Sequence, residues 1–298
     1  MYPMKTVADM QTILKKLSKY WQQNATVHTF DGDYDDIEFF ADKKDFAECL
    51  LPFANHDAWL NAPQPKKDAC LSYAWILYNM KTVYIECDVV TPACENILKY
   101  PPNTENLADV QKVIAEALLD EALHTKMSIG ACNYIYQKRN LPHLGENNFY
   151  LSQWLKETLN KQLDEKNRRL VQFAVACASE TLITDYLDIL SKDNTIQNIC
   201  YEVTKRHALD ERSHSGVFSH VALEVLKNES KETRTLFINT LKSTVPLFAH
   251  TEMKEWEKIF GILNFPNYQE ILRDTDTLKN IGIYDNSVNK LLLRLGAM

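Results

Sequence analysis

Two short segments, DEALH at residues 120–124 and DERSH at residues 210–214, repeat one arrangement of two acids and a histidine. In each segment a Glu precedes a His by three residues, and residues three apart lie on the same face of an α-helix. His207, four residues before the second Glu, joins that face. The pattern predicts carboxylate and imidazole groups pointing together from two helices. The paired residues are Glu121 with His124 and Glu211 with His214.

In a helical bundle, two such helices form a metal site when two other helices each add a glutamate. Glu86 in KTVYIECDVV and Glu180 in FAVACASETLITDYL are acids within apolar, nearly uncharged stretches. A buried lone charge is costly unless it is paired or bound to metal. Four carboxylates are neutralised by two divalent cations, and mixed carboxylate and imidazole ligation favours iron or manganese over structural zinc. The predicted metal ligands are Glu86, Glu121, His124, Glu180, His207, Glu211 and His214.

Scarce glycine and long apolar periodicities predict an all-α protein, because 7 Gly in 298 residues leave few tight turns. We expect one domain over residues 1–298, with a four-helix bundle at about 66–228, an N-terminal extension at 1–65 and C-terminal helices at 229–298. The individual helices are predicted at 5–23, 66–100, 106–139, 151–190 with a possible break in LDEKNRR, 194–228 with Asn194 as its cap, 231–249, 251–263 and 267–274.

Helix lengths also predict how the four glutamates align. Glu86 and Glu121 lie about equally far from the Pro-Pro turn between them, roughly 22–24 Å, so they should face each other. Glu180 and Glu211 differ by roughly 9 Å if the fourth helix starts directly after the SKDN turn. Their alignment therefore requires that this helix start later, near residues 196–199, or that the turn be irregular.

The acid before each ligand Glu also has an expected role. Metal-binding histidines usually donate their second ring N–H to a carboxylate. In an antiparallel bundle we expect Asp120 to hold His214 and Asp210 to hold His124 across the helix pair.

This ligand order, over roughly residues 70–225, resembles the di-iron arylamine N-oxygenases, whose type member is p-aminobenzoate N-oxygenase. Ferritins, ribonucleotide reductase small subunits and bacterial multicomponent monooxygenases share the Glu and Glu-x-x-His pattern, and the extra histidine at His207 separates the N-oxygenases from them. The resemblance implies a ferritin-like fold, two Fe ions with Mn as an alternative, O₂ as cosubstrate, an external electron donor and a homodimer. In that family a peroxo species on the reduced metals oxidises an amine nitrogen.

The resemblance also implies which residues share a metal. One metal would be bound by Glu86, Glu121 and His124. The other would be bound by Glu180, His207 and His214. Glu121 and Glu211 would bridge the two metals.

Beside the metals, residues on the same helix faces should line a substrate pocket. These are Thr82 and Tyr78, one and two turns before Glu86, and Thr184, one turn after Glu180. Lys81 lies where an Arg approaches the substrate in the p-aminobenzoate enzyme, and a Lys is a point charge rather than a two-pronged donor. We therefore predict the substrate only as an amine, most simply an arylamine.

Other functions fit the sequence less well. A ribonucleotide reductase-like radical protein would have Tyr where Ser128 stands, and a His-Asp phosphohydrolase would need helical partners for His56 and Asp57. Oxidation of carbon instead of nitrogen, or iron binding without oxygenase activity, stay open as alternatives.

Composition narrows the partners and the compartment. A net charge of −7 without basic runs does not suit nucleic acid, and no apolar run reaches the length of a membrane span. Seven cysteines without a CxxC pair indicate reduced thiols in a cytoplasmic protein.

Overall fold

The computed structural model describes residues 7–32, 34, 36–279 and 281–297. Within them the chain is helical and contains no strand, as expected. Short 3₁₀ turns lie at Thr26–His28, Glu48–Leu50 and Ile281–Tyr284. The helices are α1 Val7–Asn24, α2 Asp57–Leu60, α3 Gln64–Ile85, α4 Thr91–Lys99, α5 Leu107–Arg139, α6 Tyr150–Lys161, α7 Glu165–Leu190, α8 Asn198–Leu226, α9 Lys231–Phe248, α10 Met253–Leu263, α11 Tyr268–Asp274 and α12 Asp285–Arg294.

A ferritin-like bundle forms the centre, in which α3 with α4, α5, α7 and α8 pack against one another. Helix α7 is buried on all sides between Leu170 and Leu182, and most of its residues there are apolar. Such a helix is stable only inside a protein. Its small residues, among them Ala174 and Ala178, allow neighbouring backbones to approach closely. The bundle thus surrounds Glu180 with protein on every side.

The long helix predicted at 66–100 contains an unpredicted π turn at Glu86–Val90, which joins α3 to α4. Pro92 has no N–H and cannot donate to the carbonyl of Asp88, four residues earlier. The side-chain amide of Gln172 on α7 donates instead, to the carbonyls of Asp88 at 3.0 Å and Val89 at 2.8 Å. The π turn therefore starts at a predicted ligand and is fixed by hydrogen bonds from a neighbouring helix.

Specific hydrogen bonds fix the positions of two helix boundaries that the sequence addressed. The break expected in LDEKNRR lies at residues 162–164, and the Asp164 side chain accepts from the Asn167 N–H at 2.8 Å to begin α7. Helix α8 begins at Asn198, so the prediction that Asn194 caps it is wrong. The Gln197 N–H donates to the Lys44 carbonyl at 2.8 Å, which anchors the turn to the N-terminal segment. The later start is the one that aligns Glu180 with Glu211.

Segments outside the bundle cover it. Helix α1 packs on α5 and α8, α9 packs on α7, and α10 packs on α3. The predicted start of the first helix at residue 5 lies outside the described residues. None of the described helices combines the length and apolarity needed to cross a membrane. The single domain stays a prediction.

Candidate metal centre

All seven predicted ligands lie in one buried group, which we call the carboxylate–histidine cluster. Each of them is at most 3% exposed. On one side, His214 Nδ1 lies 3.1 Å from Glu121 Oε1, 3.2 Å from Glu180 Oε2 and 3.3 Å from Glu211 Oε1. A nitrogen surrounded by three carboxylate oxygens at these distances is an arrangement that a shared cation would stabilise.

On the other side of the cluster, His124 Nδ1 lies 3.0 Å from Glu121 Oε2 and 3.4 Å from Glu211 Oε1. His207 Nε2 lies 3.2 Å from Glu211 Oε1. Ligand atoms fall into three overlapping sets, within each of which all atoms lie within 4.8 Å of one another. These sets are Glu86, His124, His207 and Glu211; Glu121, His124, Glu211 and His214; and Glu86, Glu121 and Glu180.

The position of His207 differs from the grouping that the family resemblance implied. Its ring centroid is 4.2 Å from that of His124, and none of the metal-sized sets among the described residues combines it with Glu180 or His214. His207 and His214 are seven residues apart, about 10 Å of helix rise along α8, with Glu211 between them. The third histidine thus lies beside Glu86 and His124, and the metal that it would bind stays a prediction.

Without metal, the glutamates of the cluster differ in their pKa values. Burial, followed by repulsion among the glutamates, raises the pKa of Glu86 and of Glu180 well above the usual value. Burial opposes ionisation of Glu121 too, but the neighbouring histidines lower its pKa to about 2. Two carboxyls are thus protonated while others are ionised, because burial and like charge forbid four carboxylates together.

The three histidines of the cluster also differ in their pKa values. Burial opposes protonation of His124 and His214, yet their carboxylate neighbours raise the pKa of both well above 6.5. His207 differs, since burial and the adjacent His124 lower its pKa. Without metal the cluster is therefore held by protons shared among carboxylates and imidazoles.

Buried ligand atoms without a hydrogen-bond partner indicate whether a metal fits in the cluster. Five ligand atoms of the cluster are buried and complete no hydrogen bond among the described residues, although ion-pair contacts surround them. Buried polar atoms are normally satisfied, so such a concentration needs an explanation. Cations coordinated by oxygen and nitrogen would satisfy all of them. The atoms are Glu86 Oε2, Glu121 Oε1, Glu180 Oε2, Glu211 Oε2 and His214 Nδ1.

The two aspartates make the cross-helix contacts expected of them. Asp120 Oδ2 lies 3.0 Å from His214 Nε2, and Asp210 Oδ2 lies 3.1 Å from His124 Nε2. Both histidines therefore turn Nδ1 toward the cluster. The carboxylates orient each ring and increase its basicity as a ligand.

Residues of the N-terminal extension hold the aspartates in turn, which the sequence did not predict. The Trp21 indole N–H on α1 donates to Asp120 Oδ2 at 2.7 Å. The Thr26 backbone N–H, in the following 3₁₀ turn, donates to Asp210 Oδ1 at 2.9 Å. Both contacts join residues about 100 or more positions apart, so no local pattern could have pointed to them.

Replacing Trp21 by Phe is expected to weaken metal binding by about 10- to 100-fold, the usual effect of losing a partner of a metal-binding residue. The aromatic packing is largely kept, but Asp120 loses a donor and orients His214 less firmly. Iron retained during dialysis against a graded chelator series measures the effect. Trp154→Phe is the control, since Trp154 is also partly buried but packs on the core away from the cluster. Equal iron retention in the two variants would contradict the role of Trp21.

A cavity of about 110 Å³ lies beside the cluster, and three of the four predicted pocket residues line it. Tyr78, Lys81 and Thr82 line it, as does Ile85, the residue before Glu86. The Tyr78 ring stacks on Tyr186 with centroids 5.5 Å apart. Burial and the nearby Glu211 and Glu86 carboxyls raise the pKa of Tyr78, which keeps the phenol protonated.

Thr184 is not part of this wall, in contrast to the sequence prediction. Its hydroxyl donates to the Thr181 carbonyl at 2.7 Å. At about 100° per residue, Ile183 and Tyr186 lie roughly 60° and 120° to one side of Glu180, whereas Thr184 lies roughly 40° to the other. The cavity is on the side of Ile183 and Tyr186.

The residues of the alternative sites noted in the sequence are not among the ligand atoms of the cluster. His56 Nδ1 accepts the Ala58 N–H at 3.1 Å and caps the short helix α2, while its Nε2 lies 3.6 Å from Asp274. Ser128 is buried within α5. Neither belongs to any of the metal-sized sets among the described residues.

A four-helix bundle that buries four glutamates and three histidines in one cluster defines a ferritin-like carboxylate protein able to hold metal. Within this class the chain belongs to the p-aminobenzoate N-oxygenase AurF family, whose model matches residues 7–296. A 4-aminobenzoate N-oxygenase of Streptomyces thioluteus is 24% identical over 250 residues, which cover 80% of this chain and 72% of that protein. The expected family is thus confirmed, and the protein is an oxygenase.

Proposed function

We propose that the protein inserts oxygen at the nitrogen of an amine, most simply an arylamine, using two iron ions, O₂ and electrons from an external donor. The observation that carries the proposal is the set of unpartnered carboxylate and imidazole atoms directly beside an aromatic cavity. Membership of the N-oxygenase family supports the same chemistry. The donor, homodimeric assembly and cytoplasmic location stay predictions.

The seven residues of the cluster would hold the metals, with Glu211 reaching both sides. Its Oε1 lies 3.2 Å from His207 Nε2 and 3.3 Å from His214 Nδ1. Bound there, reduced iron would supply the electrons and the Lewis acidity that O₂ activation requires.

The residues that line the cavity would position the substrate and exclude water from it. Aromatic rings of Tyr78, Tyr186 and Phe248 enclose the cavity and exclude water from a bound ring. The Tyr78 hydroxyl is buried beside Thr82 and close to Glu86 and Glu211, where it could orient an amine nitrogen. Orientation of this kind accounts for a large part of enzymatic rate enhancement.

The decisive experiment measures metal and product together. Protein made in iron-supplemented medium is analysed for iron per chain, reduced without oxygen, and mixed with an arylamine and O₂. We expect about two irons per chain and a hydroxylamine, nitroso or nitro product, which mass spectrometry separates from a ring-hydroxylated one. Iron without any O₂-dependent product would overturn the proposal in favour of simple iron binding.

Replacing His207 by Ala is expected to weaken one of the two irons and leave the other, because this histidine belongs only to the set of Glu86, His124 and Glu211. Iron per chain after gel filtration should fall from about two to about one, and N-oxygenation should be lost with it. His220→Ala is the matched control, since His220 lies on α8 but contacts the Gly216 carbonyl at 2.7 Å. Retention of both irons in His207→Ala would remove this residue from the ligand set.

A further inference from the structure

One wall of the cavity is formed by Lys81 and the junction of α9 and α10, at residues 250–252. Lys81 is five residues before Glu86 and so lies about 7.5 Å of helix rise from the cluster. This wall would face the part of a substrate that points away from the metals. Its polar groups therefore select the substituent opposite the reacting nitrogen.

Lys81 is the cationic residue of this wall, and its ammonium group already has acceptors within the protein. Its Nζ donates to the carbonyls of Phe248 at 2.9 Å and His250 at 3.1 Å. It also lies 3.1 Å from Glu252 Oε1, and Glu252 is 3% exposed. These three acceptors match the three N–H groups of an ammonium. A substrate carboxylate would have to displace them and leave Glu252 buried without its cation.

His250 offers no second positive charge. Its Nδ1 accepts the N–H of Glu252 at 3.0 Å, which requires an unprotonated nitrogen. Burial, together with Lys81 and Lys254, lowers the pKa of His250 to about 4. The described residues that line the cavity therefore present one ammonium, one carboxyl group and a neutral imidazole, with no net charge to attract an anion.

Thr251 Oγ1 is buried and completes no hydrogen bond among the described residues, and Glu252 Oε1 is buried with the Lys81 ammonium 3.1 Å away, which leaves this carboxylate oxygen able to accept from a second donor. Thr251 is 8% and Glu252 is 3% exposed, and both residues line the cavity. The Glu252 backbone adopts a left-handed conformation, with φ of 56°, which is unfavourable for a residue with a side chain. An acceptor held in this way is suited to a ligand that donates hydrogen bonds.

We infer that the substrate is an aromatic amine whose far substituent is an uncharged hydrogen-bond donor, such as a primary amide or hydroxyl, and not a carboxylate. The donor would reach Glu252 Oε1 and Thr251 Oγ1. The inference rests on the proposed function, because it assigns the cavity to the substrate of that reaction. Burial raises the pKa of Glu252, and a second negative charge beside this residue would be more costly still.

Two probes of almost the same shape test this inference. Binding of 4-aminobenzamide and of 4-aminobenzoate to the iron-loaded protein is measured by calorimetry without oxygen. We expect the amide to bind about tenfold or more tightly, because the acid must disrupt a buried ion pair. Equal binding, tighter binding of the acid, or no binding of either probe would overturn the inference.

Glu252→Gln should reverse the preference, since it removes the negative charge and leaves Lys81 free to meet a carboxylate. Glu255→Gln is the matched control, because Glu255 is also buried and is paired with Lys258 at 2.8 Å outside the cavity lining. An unchanged preference in Glu252→Gln would count against the assigned wall. If this variant fails to fold, the two probes on the unaltered protein still decide.

Measuring product formation distinguishes a failure of this inference from a failure of the proposed function. If the amide binds more tightly but O₂ yields no N-oxygenated product, the substrate-shape inference stands and the proposed reaction fails. If 4-aminobenzoate is N-oxygenated and binds as tightly as the amide, the reaction stands and the inference fails.

Discussion

Replacing Glu211 by Ala is expected to remove both metal ions together and to lower N-oxygenation by at least about 1,000-fold. Glu211 is shared by the two four-residue sets that could each hold a metal. Its Oε1 lies between 3.2 and 3.4 Å from a nitrogen of each of the three histidines. No other carboxylate contacts all three among the described residues, so its loss should affect both sides of the cluster.

Iron content of purified Glu211→Ala measures this directly, and Glu211→Gln repeats the test with the side-chain shape retained. Glu224→Ala is the matched control, since Glu224 is also buried on α8 but bonds to Asn106 at 3.2 Å, away from the cluster. The control should lose stability and keep its iron. One iron remaining in Glu211→Ala would mean that Glu211 serves a single metal.

The sequence predicted the main helices and the inward glutamates because these follow from local periodicity. An isolated acid in an apolar helix, such as Glu180, must have a partner, and counting residues to a turn places it at a height. The same count required either a late start for α8 or an irregular turn, and the structure begins that helix at Asn198. Local pattern and helix rise together were sufficient for this part of the fold.

The π turn at Glu86–Val90 was not predicted, because it depends on a partner distant in the chain. Pro92 alone is compatible with an ordinary first helical turn. What stabilises the turn is the Gln172 amide on α7, and Gln172 reads as one more polar residue in a buried helix. The sequence contains both residues but not their contact.

The wall of the cavity escaped prediction for a similar reason. Lys81 could be assigned to the pocket from its helix face, but its charge state toward a substrate depends on Glu252, 171 residues later. Trp21 and Thr26 likewise reach the cluster only after α1 has packed on α5 and α8. Residues that act through a contact between distant segments need the fold before their role becomes visible.

The protons of the metal-free cluster connect folding with metal uptake. The protonated Glu86 and Glu180 stay neutral because burial and repulsion raise their pKa values. His124 and His214 carry an extra proton because carboxylates outweigh the effect of burial on their pKa values. Two carboxyls and two imidazoliums thus hold four protons, the charge that two divalent cations would bring. Metal and protons compete for the same atoms.

Each of these four groups has a raised folded-state pKa, which fixes how stability changes with pH. Their contributions are fully present below the unfolded pKa values, 4.5 for the glutamates and 6.5 for the histidines. They are lost as the pH rises through the folded values, by about 1.4 kcal/mol per pH unit for each proton retained. Glu121 acts in the opposite sense, with stability lost as the pH falls toward its pKa of about 2.

We therefore expect the melting temperature of the metal-free protein to fall by several degrees for each pH unit above about 7, and that of the iron-loaded protein to fall much less. Ferrous loading should release about four protons per chain, measured by anaerobic calorimetry in buffers of different ionisation heat. Glu180→Gln removes one of the titrating acids and should reduce the release to about three. A release close to zero would show that the carboxylates and histidines are already deprotonated, and the cluster would then need another source of positive charge to remain buried.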